Sequence, residues 1–272
     1  MRSFLFKKNF RGYTMFLRVI SSFLFFFAEN IREVNLIIEQ GNTSSKVAVY
    51  KNGHIEVYKQ FGVSVVAALF EKYAFTQGIL STVIDTDDEL IAYLKNKLQR
   101  FVFLDEHVAL PIKVEYGTPK TLGKDRLAAV VGANYLRPGK NLLVIDAGTA
   151  ITYEVIEAPG IFLGGNISPG MTTRFRALNH FTKKLPLVTE EDDIPLIGRS
   201  TETAIQAGVV NGIVYEMDGY IDELKVKYPD LLVFLTGGHS FYFERRLKNS
   251  IFADINLVLT GLNRILEYNV ED

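Results

Sequence analysis

The sequence predicts an α/β protein in which a βββαβα unit occurs twice, each copy opening with a strand that ends in an acid and a glycine turn. Three observations lead there. "LIIEQGNTSSKVAVY" at 36–50 can be laid on "LLVIDAGTAITYEVI" at 142–156, with Glu39 over Asp146 and Gly41 over Gly148, both 107 positions apart. Each stretch reads as an apolar run, a carboxylate, a glycine turn and a second apolar run. Each is followed by a further turn, Asn52-Gly53 in one copy and Pro159-Gly160 in the other, and then by a third strand.

The chain has 272 residues, enough for one large domain or two smaller ones each with its own core, and the repeat divides it into expected domains over 34–140 and 141–272. Apolar residues make up 48% and charged residues 22%, the balance of a soluble globular protein. A formal net charge of -1 and the lack of a long basic stripe argue against a nucleic-acid partner. Cysteine is absent, which excludes disulfides, thiolate metal sites and thiol catalysis and fits a reducing interior.

Residues 1–33 carry basic residues Arg2, Lys7, Lys8, Arg11 and Arg18 ahead of an apolar block at 19–28. That block is shorter than the ~20 apolar residues a membrane helix needs, so no membrane association is expected. Phe26 and Ala28 stand where a signal cleavage site wants two small residues. The segment is therefore read as an extension outside the fold or a mis-called start, with Val34 as a GTG start codon.

Strands follow at 36–39 and 45–50. Asn52-Gly53 accepts the positive φ angles of a type I′ turn and leads into a third strand over 54–61. A helix is expected over 63–73, a strand over 78–84, a helix over 87–99 and a strand over 101–104. Asp85, Asp87 and Asp88 suit the N-cap and dipole of the second helix. Asp125-Arg126 opens an apolar helix. In the second copy, Ile161-Phe162-Leu163 forms the third strand, and Pro169-Gly170 precedes a helix carrying Arg174 and Arg176. A long helix covers 201–227, and "LLVFLTGGHS" at 231–240 is a buried strand ending in Gly237-Gly238. Leu257-Val258-Leu259 then leads into a terminal helix over 260–268. Ala204, Gly208 and Gly212 recur every four residues, leaving one helix face nearly bare backbone. Such a face packs closely on something, either within the chain or across a dimer interface.

The acid-x-glycine turns permit specific chemistry. Glycine lets the backbone approach a phosphate, turn N–H groups and a threonine hydroxyl can bind its oxygens, and the carboxylate can hold Mg²⁺ directly or through water. Two such turns facing each other would clamp a nucleoside triphosphate; the plainer reading is a pair of ordinary hairpins. There is no Walker A motif, protein-kinase set, nucleophile elbow or zinc-protease motif. His54, His107, His180 and His239 are scattered and read as turn or surface residues. In "YGTPKTLGKDR" at 116–126, Asp125 is either a helix cap or a group that takes a proton from a substrate hydroxyl, with Arg126 pairing an acidic substrate group. "GGNISPGMTTRFRAL" at 164–178 either lines a pocket floor or turns a corner.

"EQGNTSSK", "YGTPKTLGKDR", "VIDAGTAITYE", "GGNISPGM", "GRSTETAIQAG" and "LTGGHS", in this order and spacing, resemble the type III pantothenate kinase family from about residue 35 to the C-terminus. The resemblance implies a duplicated actin-like (RNase H-like) fold with an ATP cleft between its halves. It implies transfer of the γ-phosphoryl of ATP to the 4′-hydroxyl of pantothenate, the first step of coenzyme A synthesis, in a cytoplasmic homodimer. Mg²⁺ and an activating monovalent cation, K⁺ or NH₄⁺, come with it. By position, Asp125 matches the general base, with Gly123, Lys124 and Arg126 in the same pantothenate-side motif. Tyr116, Gly117 and Pro119 match the loop over pantothenate, and Thr201 a threonine reaching it from the partner subunit. Gly41, Asn42, Thr43 and Lys46 match the first phosphate turn, and Gly148 and Thr149 the second. Asp146 lies near the monovalent cation, Glu39 is placed to hold Mg²⁺, and Gly237 and Gly238 match the adenosine side. Glu39 departs from the family, whose first turn normally opens with Asp; the charge is kept one methylene further out. Two rivals stand beside this reading: a kinase of the same fold acting on another small molecule, and a catalytically silent regulator that binds without turnover.

Overall fold

Strand β1, Val34–Gln40, is buried on both faces, with Ile37 turned to a central core and Leu36 and Ile38 to an outer one. The protein is described by a computed structural model over residues 34–41, 45–85 and 87–270; the expected extension at 1–33 and the turn residues Asn42 and Thr43 lie outside these. After β1 come β2 (Ser45–Lys51), β3 (His54–Tyr58), α1 (Val63–Lys72), β4 (Gln77–Thr82), α2 (Asp88–Lys97) and β5 (Arg100–Phe103). Asn52 and Gly53 adopt φ of 57° and 78°, as the type I′ turn requires. Asp87 caps α2 by accepting from the N–H groups of Glu89 and Leu90.

The connection to the second copy holds the short strand β6 (Lys113–Val114), a 3₁₀ turn at Pro119–Thr121 and helix α3 (Lys124–Leu136). Then follow β7 (Leu142–Ala147), β8 (Ala150–Glu157), β9 (Ile161–Pro169), α4 (Met171–Phe181) and α5 (Thr201–Lys227). The chain ends with β10 (Leu232–Thr236), α6 (Ser240–Glu244), β11 (Phe252–Ala253) and α7 (Leu257–Val270). The first sheet runs β3-β2-β1-β4-β5 and the second β9-β8-β7-β10-β11, with β6 added beyond β9. The two orders are the same with every strand number raised by six, so the expected duplication is present. The terminal helix starts at Leu257 rather than 260, because its first residues are buried on all sides and carry no helical periodicity.

Each copy ends in a helix that packs on the other copy's sheet: α3 lies chiefly on β7 and β8, and α7 on β1, β4 and β5. The two helices also pack on each other, so Ile37 and Ile79 of one sheet, Val144 and Ile156 of the other, and both helices share one core. Outer cores lie beyond each sheet, under α1 and α2 on one side and α4 and α5 on the other. Glycines set the α3–α7 approach. A Cβ on Gly132 would sit 2.3 Å from the Leu257 carbonyl oxygen, and one on Gly261 1.8 Å from that of Ala128. A chain of amides also ties α7 to the first sheet: Gln77 donates to Asn35 (2.8 Å), Asn35 to Asn263 (2.6 Å) and Asn263 to Glu267 (2.7 Å).

The small-residue face of α5 points outward. Ala204 and Gly208 are exposed, and a Cβ on Gly208, Gly212 or Gly219 would meet nothing within 4 Å. Packing within the chain is thereby ruled out for the glycines of this stripe.

Gly132→Ala and Gly261→Ala each press a methyl group against backbone that cannot rotate aside. Each is expected to lower unfolding stability by about 1–3 kcal/mol in denaturant melts. Gly208→Ala, with open space around it, should raise stability slightly through helix propensity when measured on the monomer.

Candidate active site

Three strand ends meet at one edge of the central layer. β1 delivers Glu39 and Gly41; β7 delivers Asp146, Gly148 and Thr149; β10, parallel to β7 with Thr236 beside Asp146, delivers Gly237 and Gly238. The second turn is braced from behind. The Gly148 N–H donates to Ala150 O, the Gly170 N–H to Thr149 O (2.9 Å), and the Thr173 hydroxyl to the same oxygen (2.7 Å). A Cβ on Gly170 would sit 2.2 Å from Gly148 O, so "SPG" is a buttress under the turn rather than a simple corner. Gly237, at φ 94°, leaves room for the Asp146 carboxylate; a Cβ there would lie 2.4 Å from its Oδ1.

These ends line a cleft of about 390 Å³. Of the residues expected at the site, Glu39, Gly41, Lys46, Asp125, Arg126, Asp146, Gly148, Thr149, Gly237 and Gly238 line it together. Tyr116, Gly117, Pro119, Gly123 and Lys124 do not line it. They form the loop leading to Asp125, where the Tyr116 ring stacks on Phe162 and Lys124 lies over Phe103. Thr201 is exposed at the start of α5, away from the cleft of its own chain. Sequence reasoning missed Thr152, Thr172, Thr236 and His239 as cleft residues; His239 is a turn residue, as expected, but a half-buried one that lines the cleft, with its backbone N–H on Ala147 O. Arg176 lines the cleft, whereas Arg174 is held outside it by Glu216 and Ser168.

Like charges converge here. Glu39 faces Lys46 across the β1–β2 pair, with Lys46 Nζ 3.4 Å from its carboxylate. Burial raises the Glu39 pKa; Lys46 pulls it back and Asp125 pushes it further up. Burial, with Asp125 and Glu39 nearby, carries Asp146 to about 7. Among the described residues no three or more His, Cys, Asp or Glu side chains are grouped to enclose a metal. Mg²⁺ is usually bound by one or two carboxylates and completed by phosphate and water. Glu39 and Asp146 are the carboxylates that could supply this.

Asp125 is not the cap of α3. Gly123 occupies the N-cap without a side-chain bond, and Asp125 turns to the cleft while its Oδ1 accepts the Arg126 N–H at 2.8 Å. Arg126 does not wait for a substrate carboxylate: Glu154 on β8 already takes it in a two-pronged pair, Nε to Oε1 at 2.5 Å and Nη2 to Oε2 at 2.8 Å. The signal for Glu154 was an acid in the middle of a strand flanked by apolar residues, two residues from Thr152 and so on the same face.

With its folded pKa above the ordinary carboxylate range, Asp146 favours the folded chain when protonated. That contribution is complete below about pH 4 and is lost as pH rises through about 7. Asp146→Asn is therefore expected to melt higher than the unliganded wild type at pH 8, by on the order of a few kcal/mol, with the gap shrinking toward pH 5. Thermal melts at the two pH values check this; an equal gap at both would refute it.

The sequence model of the type III pantothenate kinase family matches residues 35–223. A type III pantothenate kinase of Phocaeicola vulgatus is 48% identical over 239 residues, covering 87% of this chain and 99% of that protein. One from Bacteroides fragilis is 51% identical over 239 residues, covering 87% and 98%. In fold, the chain is similar to the crystal structure of a conserved Campylobacter jejuni protein assigned to the Baf family of transcriptional activators. The TM-score is 0.54 at 22% identity, over 87% of this chain and 100% of that one. With the family model matched over most of the chain and relatives near half identical along almost their whole length, this chain belongs to the type III pantothenate kinase family.

Proposed function

We propose that this chain is a cytoplasmic kinase that transfers the γ-phosphoryl of ATP to the 4′-hydroxyl of pantothenate. The observation that carries the reading is the convergence of Asp125 with two acid-x-glycine turns on one cleft. In the proposed reaction Asp125 accepts the hydroxyl proton as the oxygen attacks the γ-phosphorus, and the bond from that phosphorus to the β,γ-bridging oxygen breaks to release ADP. Gly41, Asn42, Thr43, Lys46, Gly148 and Thr149 cradle the phosphates, and Gly237 and Gly238 flank the adenosine. Bound Mg²⁺ supplies neutralisation of phosphate charge, held by Glu39 and Asp146. Asp146 would also hold K⁺ or NH₄⁺, which would supply positive charge against the carboxylates around it.

Tyr116, Gly117, Pro119, Gly123, Lys124 and Arg126 form the pantothenate side, completed by Thr201 of a second copy in a homodimer. Support for the dimer comes from the outward glycine face of α5, on which Tyr215 and Val226 are exposed at 61% and 82%.

Purified protein with Mg-ATP and K⁺ should release ADP only when pantothenate is added. Asp125→Asn should lower kcat by about 10²–10⁴-fold with ATP binding retained. Equal ADP release with and without pantothenate, or an Asp125→Asn variant of full activity, would sink the assignment. Sedimentation should give twice the chain mass of 30.7 kDa, and Gly208→Arg should shift it to one chain; a monomeric wild type refutes the dimer.

A further inference from the structure

We propose that Glu154 is a positioning residue for this reaction, holding the first turn of α3, and with it Asp125, through Arg126. The proposal rests on Asp125 as the proton acceptor.

Helix α3 starts without the usual means of fixing its first turn. Its N-cap is Gly123, which offers no side-chain acceptor; the 3₁₀ turn at 119–121 is exposed, and Leu122 between the two is buried in the shared core, which anchors the approach to the helix but not the direction of Asp125. Asp125 lies in that first turn and faces the cleft, so something else must set its direction. The next residue does. Arg126 enters the interior, with only 7% of its side chain exposed, and meets Glu154, whose side chain is 1% exposed, in a planar two-pronged pair. A forked pair of this kind fixes orientation as well as distance, and the backbone N–H of Arg126 binds Asp125 Oδ1 directly. The Tyr116 ring covers the guanidinium at 5.4 Å and is itself stacked on Phe162.

Glu154 is in turn a fixed point. The residue before it, Tyr153, projects to the opposite face of β8, where its hydroxyl donates to Glu216 at 2.7 Å and its ring meets Tyr220 at 4.4 Å. On the cleft side the sequence makes room for the pair. A Cβ on Gly165 would lie 1.9 Å from the Tyr153 carbonyl oxygen and 2.6 Å from Glu154 Oε2, and one on Gly164 3.0 Å from the Tyr116 ring. The two glycines of "GGNISPG" thus accommodate this stack, a use that neither a pocket floor nor a corner would require.

Glu154→Gln leaves a neutral amide of the same shape, and Glu154→Asp keeps the charge but withdraws it by one methylene. Amide hydrogen exchange of the whole chain tests the clamp without relying on turnover; steady-state kinetics with ATP and pantothenate tests its consequence. Glu154→Gln should speed exchange about tenfold or more in the first turn of α3 and leave α1 and α2 unchanged. It should lower kcat about 10²-fold, the cost of a misplacement near 1 Å, with KM for ATP within about threefold. Glu154→Asp should fall between the variant and wild type in both readouts. Unchanged exchange in α3 for both variants overturns the proposal, as does faster exchange spread over every helix with ATP affinity lost in step. A wild type that does not turn over pantothenate defeats the substrate assignment instead, and exchange then decides the clamp alone.

Discussion

The architecture depends on how closely α3 and α7 approach. Gly132 and Gly261 bring two helix backbones together where a single methyl group would strike a carbonyl oxygen. Because α3 lies on the second sheet and α7 on the first, that distance sets the separation of the two sheets. The cleft is the gap left at their edge, with the β1 turn on one side and the β7 turn on the other. Packing in the middle therefore decides whether the two turns can act on one ligand.

The same edge concentrates electrostatic cost. Glu39, Asp125 and Asp146 repel one another; Lys46 offsets Glu39 and Asp146, while Arg126 is committed to Glu154. A site chosen for stability alone would not gather two further carboxylates around a buried aspartate. It suits a surface that works against bound cations and a nucleotide, where protein charge of both signs is met by the ligand's own. Glu39 lies opposite Lys46, close enough to pair with it.

The duplicated fold was legible because a glycine turn at the end of an apolar strand is a local feature, and it occurs twice in one register. The hairpin at Asn52-Gly53 and the cap at Asp87 were legible for the same reason: a few adjacent residues determine them. What escaped was tertiary. Gly132 in mid-helix looks like a weak point for helix formation until Leu257 is seen against it. Glu154 acquires meaning only from Arg126, 28 positions earlier. Strands β6 and β11 have two residues each, too few for any alternation to show. Leu257-Val258-Leu259 hid the start of α7 because its first two turns are buried all round and show no polar face. Most of the site was readable as motifs; which residues hold which was not.

The amide chain from β1 to α7 also says something about how the protein is made. Asn35 is among the first residues of the fold to leave the ribosome, and Asn263, its partner, emerges 228 positions later. Until then the inner face of the first sheet, with Ile37 and Ile79, lacks the helix that covers it. Such a nascent chain carries an exposed apolar sheet through nearly the whole of translation, the state that holdase chaperones recognise. Folding of the first half is thereby tied to completion of the second, so a truncated product has no finished half to leave behind.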